Sequence, residues 1–249
     1  MNQKGFLVAI LGIIIVIIII LAIIFSITTM PLTSGDEVEK DYPLAGIVSN
    51  LQINGQAHLF LTQGTETSLK IVTGEKIHNL LKIEEDSDQL TIGLKSWWLS
   101  WPWWLNKNLN IYLTTPTVSE LNLNGSLEVD CQDTILIDQL KIDVNGSGQV
   151  TCQFSGNNLE TVVNGTGTLN YTGQVNEQKI TINGSGDYLA KNLTSSQGEV
   201  DINGSGDIEI NTQNKLKISI SGSGSVDYLG DPEIDQSISG SGSIKKLTE

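Results

Sequence analysis

The sequence is poor in the residues that build metal centres and covalent cross-links. It has two histidines, His58 and His78, and two cysteines among 249 residues. Two histidines without a third ligand at a recognisable spacing make a poor metal site, so we expect surface histidines, no metal and no other cofactor. Positive charge is also scarce, with 14 Lys+Arg against 28 Asp+Glu. This acidity argues against nucleic acid or anionic lipid as a partner.

Charge is absent from residues 6–27, a run of 22 residues. At about 1.5 Å per residue a helix of this length covers roughly 33 Å, enough to cross a bilayer core of about 30 Å. The run exceeds the about 7–15 apolar residues of a signal peptide, and neither an A-x-A cleavage site nor a lipid-attachment Cys near residue 25 follows it. We therefore predict an uncleaved transmembrane helix at 6–27 in the lipid bilayer.

The charges that flank this run predict its orientation. Lys4 precedes it, whereas Asp36, Glu37 and Glu39 follow it. Because positive charge stays on the cytoplasmic side, residues 1–5 are expected in the cytoplasm and the rest of this single-pass chain outside it. Residues 28–46 form the expected linker between the membrane and a domain at 47–247.

A glycine-centred repeat occupies the carboxyl-terminal half. Its segments resemble ITINGSGDY (180–188), and their first glycines are 18–21 residues apart. These glycines are Gly125, Gly146, Gly165, Gly184, Gly204, Gly222 and Gly240. A period near 20 with β-type residues excludes the common helical repeats, which need about 33–47 residues.

Alignment on these glycines produces two apolar columns. One lies two positions before the glycine and the other four positions after it, as Ile202 and Ile208 do around Gly204. Residues of equal parity share one face of a strand, and stacked units bury a face that one unit cannot bury alone. The repeat predicts an all-β fold, a single-stranded parallel β-helix with about 20 residues per coil.

The Gly-Ser-Gly segments fit the corners of such a coil. A sharp corner needs residues that tolerate positive φ where backbone is crowded, and the Asn before each of four corners also tolerates that region. Stacked Asn side chains are expected to hydrogen-bond along their column. A phosphate-binding loop is excluded because neither Lys-Ser/Thr nor a following helix accompanies the glycines.

The amino-terminal half contains a weaker version of the pattern. Residues 51–59, LQINGQAHL, match the same columns around Gly55. Residues 80–94 read as two strands joined by a Glu/Asp/Ser turn. We predict that both belong to one continuous domain.

The repeated [VI]-N-G-[ST]-G and the segment YLGDPEIDQSISGSGSI (228–244) carry a resemblance. They resemble the bacterial auto-transporter adhesin head, or GIN, domain family over residues 45–247. The resemblance implies a β-helix of pectate-lyase-like type and a location in the cell envelope. It supplies no catalytic residues.

The two cysteines occupy one column of adjacent units. Cys131 and Cys152 each lie six residues after a corner glycine. Stacked residues have Cα atoms near 4.8 Å apart, inside the disulfide window of about 4.4–6.8 Å. Either a disulfide or two small buried thiols satisfies this position, and a disulfide would persist outside the cytoplasm.

All five tryptophans lie between residues 96 and 105. They are Trp97, Trp98, Trp101, Trp103 and Trp104. Three interpretations remain open: contact with the membrane interface, a patch that binds a partner or glycan, and burial over one end of the repeat stack.

Acidic residues of the repeat do not indicate an enzyme. Asp187 and Asp207 would stack at one strand spacing, closer than the separation of about 5–9.5 Å between the carboxyl groups of glycosidases. We therefore predict a non-enzymatic module of the cell surface that adheres to or scaffolds an envelope glycan or protein. The alternatives are an envelope sensor or accessory subunit and, on fold analogy alone, a polysaccharide-processing β-helix enzyme.

Overall fold

The computed structural model describes Ile19, residues 35–95 and residues 109–248. The chain divides into two compact units, residues 1–33 and 34–249, and the strands of the described residues lie in the second. In chain order the elements are β1 Glu37–Tyr42, β2 Asn50–Gln63, β3 Ser68–Gly74, α1 Glu75–Leu80, β4 Leu81–Asp86, β5 Gln89–Leu94, β6 Asn110–Thr115, β7 Glu120–Gly184, β8 Asp187–Gly204, β9 Asp207–Gly222, β10 Ser225–Leu229, β11 Glu233–Gly240 and β12 Ser243–Lys246.

The twelve strands of the described residues form one sheet. Its main path runs β1-β3-β6-β2-β7-β8-β9-β10-β12, while β11 pairs with β9 and β5 pairs with both β2 and β4. Strand β7 spans 65 residues, far beyond the usual strand length of about 3–10 residues. It turns back on itself, because residues 19–21 positions apart within it contact each other at the glycine corners.

The repeat segments pair in parallel and in register. Gly184, Gly204 and Gly222 are Cα partners in successive strands, and the residues around them pair one to one. We call one such segment a rung. In-register stacking carries like residues onto like, so the two apolar columns form a continuous core. Members of both columns are at most 1 % exposed, except in the last rung, where Ile238 is 42 % exposed and Ile244 half-buried.

The corner glycines are required by both conformation and space. All seven have φ between +125° and +145°, a region that L side chains rarely adopt. A Cβ on Gly184 would lie 2.3 Å from the carbonyl oxygen of Gly165 on the preceding rung. Each corner therefore admits only glycine at this stacking distance.

An asparagine ladder accompanies these corners. The Nδ2 of Asn124 donates to Oδ1 of Asn54 at 3.0 Å, and the amides of Asn145, Asn164 and Asn183 continue the ladder at 2.8–2.9 Å. Asn203 ends it by donating to Asn183. The hydrogen bonds expected between stacked Asn side chains are therefore present.

The predicted fold class, a single-stranded parallel β-helix with an N-terminal transmembrane helix, is wrong for the described residues. They form a mixed sheet, in which β3 is antiparallel to β1 and β6, and β4 is antiparallel to β5. Helix α1 interrupts the strands between β3 and β4. The physical reason is that a short hairpin needs only a tight turn, here at Ser87 with φ 58°, whereas parallel pairing needs a long crossover. The two strands predicted within residues 80–94 are confirmed as this hairpin.

Among the described residues, no helix has both the length and the apolar character needed to cross a bilayer. The transmembrane helix predicted at 6–27 lies, apart from Ile19, outside the described residues.

A disulfide joins Cys131 and Cys152 within β7. Their Cα atoms are 4.8 Å apart and 21 residues separate them along the chain. Cys152 is buried and Cys131 half-buried. The bond cross-links two adjacent rungs at the same column.

Replacing both cysteines by serine is expected to lower the free energy of unfolding by about 3 kcal/mol, because a loop of this length loses that much closure entropy in the unfolded chain. Urea denaturation of the oxidised chain and the double variant measures the difference. Wild-type chain with reductant should behave like the variant, and alkylation without prior reduction should add no mass. Equal midpoints in all three samples would contradict a stabilising bond.

Candidate functional site

A polar groove of about 620 Å³ runs beside the glycine corners. Three columns of residues line it, at the first, second and third positions after the corner glycine. The first column consists of Gln56, Ser126, Ser147, Thr166 and Ser185; the second includes Ala57, Leu127, Gly148 and Gly167; the third consists of His58, Glu128, Gln149, Thr168 and Asp187. Repetition of the sequence thus places the same trio of positions along the groove at each rung.

The groove has an open polar wall and a backbone floor. The side chains of the first column are exposed, and Ser147 and Thr166 share a hydrogen bond of 3.1 Å between their hydroxyls. Gly148 and Gly167 have no side chain and line the groove with their backbone. Hydroxyl, amide and carboxylate groups therefore line the groove along successive rungs.

A cluster of His58, Glu128 and Asp130 lies at the amino-terminal end of the groove. His58 of β2 is the Cα partner of Glu128 in β7, and Phe60 is the partner of Asp130. The Nε2 atom of His58 is 2.7 Å from Oδ2 of Asp130, and its Nδ1 atom is 3.8 Å from Oε2 of Glu128. We call this group the His58 cluster.

Aromatic rings support the His58 cluster on its other side. The rings of His58 and Phe60 have centroids 3.9 Å apart, and Phe60 stacks on Tyr112 at 4.6 Å with an interplanar angle of 9°. Tyr112 lies on the neighbouring β6 and is 39 % exposed. The groove therefore ends beside a partly exposed aromatic surface.

Both ring nitrogens of His58 face carboxylates rather than a hydroxyl or thiol. A histidine that activates a nucleophile needs a Ser, Cys or Thr within hydrogen-bond reach. Within the described residues, the cluster has the carboxylate–imidazole pair of such an arrangement, and the hydrogen bond of His58 is to Asp130. Its three side chains can instead orient a polar ligand or hold a cation.

The two histidines are not brought together. His78 lies in α1, where it is buried and hydrogen-bonded to the hydroxyl of Tyr42 and the carbonyl of Val38, each at 2.8 Å. The interpretation of His78 as a surface histidine is wrong. His58 is 25 % exposed. Glu128 and Asp130 were missed as its partners, although alignment of Gly55 with Gly125 already places His58 beside Glu128.

Asp187 and Asp207 are Cα partners on β8 and β9. The hydroxyl of Ser225 donates to Oδ1 of Asp207 at 2.6 Å and extends the column by one rung. The five tryptophans, predicted to contact membrane or partner or to cover one end of the stack, lie outside the described residues.

Further grooves lie along the stack, among them two of about 680 and 500 Å³. One of about 680 Å³ is lined by residues that include Lys141, whose Nζ is 2.7 Å from Oδ2 of Asp143. The hydrogen bond to Asp143 raises the pKa of Lys141 above its ordinary value. The other, about 500 Å³, is lined mainly by amides and hydroxyls such as Asn176 and Ser196. Neither contains the His58 cluster, which distinguishes the first groove.

The family model described as "Putative auto-transporter adhesin, head GIN domain" matches residues 49–232. The chain belongs to this family. The resemblance inferred from the repeated NG[ST]G segments is therefore confirmed. No curated protein matches the chain.

Solved structures share the fold of this GIN domain. A "putative adhesin" from Bacteroides fragilis has 23 % identity and a TM-score of 0.76, with 85 % of this chain and 97 % of that chain covered. A "putative lipid binding protein" from Parabacteroides distasonis has 24 % identity and a TM-score of 0.65, with coverage of 86 % and 98 %. A "putative adhesin" from Parabacteroides merdae has 19 % identity and a TM-score of 0.63, with coverage of 87 % and 98 %. At these identities the likeness shows the fold alone.

Proposed function

We propose that this GIN domain is a non-enzymatic binding module of the cell envelope, located outside the cytoplasm, whose groove binds a glycan. The observation that carries the proposal is the in-register lining of the groove. A chain of hydroxylated units that follows the rungs meets at least one hydroxyl, amide or carboxylate group at each step. Such repeated polar contacts suit a polysaccharide better than an apolar ligand.

Three further observations support the assignment. The partly exposed Tyr112 next to the groove offers an aromatic face of the kind that enriches binding sites. The disulfide between Cys131 and Cys152 is the kind of bond that persists in oxidising compartments. The formal net charge of −14 disfavours a nucleic acid ligand.

A tryptophan that fills the groove tests the proposal. Ser147→Trp is expected to weaken binding of envelope polysaccharide to the full-length chain by tenfold or more, because the bulky ring occupies the channel. Its effect on the melting temperature should be small, since Ser147 is exposed. Binding is measured by biolayer interferometry against immobilised polysaccharide fractions, with the chain kept in mild detergent.

Asn176→Trp is the matched control, because Asn176 is also exposed and lies in the 500 Å³ groove. It should leave the affinity unchanged. Equal affinity of wild type and Ser147→Trp would contradict the groove as the site. Binding to phospholipid vesicles or to an envelope protein, with none to polysaccharide, would favour a lipid-binding function or a sensor subunit instead.

A further inference from the structure

The hydrogen bond between His58 and Asp130 determines which ring nitrogen of a neutral His58 carries the proton. The Oδ2 atom of Asp130 lies 2.7 Å from Nε2, and an ionised carboxylate only accepts hydrogen bonds. Nε2 must therefore be the donor. In the neutral ring, Nδ1 then carries a lone pair.

That lone pair faces a second negative group. The Oε2 atom of Glu128 is 3.8 Å from Nδ1 of His58. A lone pair and a carboxylate repel each other unless a proton or a metal ion lies between them. Among the described residues, the ion pairs of Glu128 and Asp130 are both with His58, and no described lysine forms an ion pair with either carboxylate.

We propose that His58 Nδ1 and the Glu128 carboxylate bind a divalent transition metal ion such as Zn²⁺. Zinc binds imidazole nitrogen at about 2.0–2.1 Å and carboxylate oxygen at about 2.0–2.2 Å. An ion between Nδ1 and Oε2 at their separation of 3.8 Å needs only a small closure of the Glu128 side chain, which is 50 % exposed and free to adjust. The remaining coordination positions face the groove.

Asp130 is a positioning residue in this site. A histidine that binds a metal usually donates its other ring N–H to a carboxylate, which orients the ring and increases its basicity. Asp130 occupies this place relative to His58. The ring of Phe60, which packs at a tilt against His58 and stacks on Tyr112, restrains the imidazole further. This site does not depend on the groove binding a glycan.

Calorimetric titration of the full-length chain, first treated with EDTA, with ZnCl₂ tests the proposal. Wild type should bind one ion, whereas His58→Gln and Glu128→Gln should each weaken binding by at least tenfold. Asp130→Asn should weaken it by about 10–100-fold, the usual effect of losing such a partner. Melting of each variant in EDTA establishes that the fold is retained.

Asp207→Asn is the matched control, because it removes a carboxylate of the repeat that is hydrogen-bonded to Ser225 rather than to a histidine. It should bind Zn²⁺ as wild type does. The electron paramagnetic resonance spectrum with CuCl₂ should show nitrogen coupling that persists in Asp130→Asn and disappears in His58→Gln. No Zn²⁺ binding by wild type, unchanged binding by His58→Gln, or equal loss in the control would overturn the site.

Discussion

Ile202→Asp is expected to lower the free energy of unfolding by about 4 kcal/mol or more, since it places an unpaired carboxylate in the core. Ile202 is 1 % exposed and lies between Ile182 and Ile220 on the adjacent rungs. Neither neighbour can pair with a charge, and both are buried as well. The substitution also removes an apolar side chain whose methyl groups pack beside the next corner, near Gly224.

Ile238→Asp is the matched control, because Ile238 occupies the same column in the last rung and is 42 % exposed. It should change stability by about 1 kcal/mol or less, as is usual at surface positions. Urea denaturation followed by circular dichroism measures both variants against wild type. If Ile202→Asp and Ile238→Asp lower the free energy of unfolding equally, burial of this column does not determine how much each residue stabilises the fold.

Gly184→Ala is expected to lower the free energy of unfolding by about 3 kcal/mol or more, because the strain of a positive φ and the steric overlap of the added Cβ act together. The φ of Gly184 is +139°, and the added Cβ would lie 2.3 Å from the carbonyl oxygen of Gly165. That oxygen belongs to backbone and accepts a hydrogen bond from the N–H of Ser185. The clash is therefore relieved only by separation of the rungs.

Gly55→Ala distinguishes strain from overlap. Gly55 has φ +129°, but an added Cβ meets nothing within 4 Å. Gly55→Ala should lower the free energy of unfolding only by the backbone strain, about 1–3 kcal/mol. This loss should be smaller than that of Gly184→Ala. Thermal melting and urea titration of the two variants give the comparison. A Gly55→Ala variant as unstable as Gly184→Ala would show that rung spacing adds nothing to the requirement for glycine.

The proposed functions differ in how far the sequence alone supports them. The family was recognisable from repeated segments such as INGSG at 182–186, and adhesion follows from the family only as a general class. The groove was not predicted, although its lining repeats at the first and third positions after each corner glycine. The identity of a bound glycan is not encoded in that pattern, because serine, threonine and glutamine there accept many polar ligands.

The two histidines show why the environment of a single side chain is harder to predict from sequence than a repeated column of core residues. His58 lies in the repeat-like segment 51–59 and His78 in an irregular segment, but neither position in the sequence shows whether the imidazole is buried or lies at a groove. One lies at the groove beside Asp130, and the other is buried against Tyr42. The hydrogen-bond partner of His78 lies 36 residues away along the chain, and that of His58 lies 72 residues away. Such distant contacts depend on which strands become neighbours.

The sequence by itself determined the register of the repeat. The corner glycine and the apolar residues two before and four after it repeat at the period at which the rungs stack, as does the Asn that precedes most of these glycines. Like residues therefore had to meet. Only the tertiary structure decided the direction of the amino-terminal strands and the place of α1. The reason is that alternating apolar and polar residues fit a parallel or an antiparallel neighbour equally well, and the choice depends on crossover length and on contacts made far along the chain.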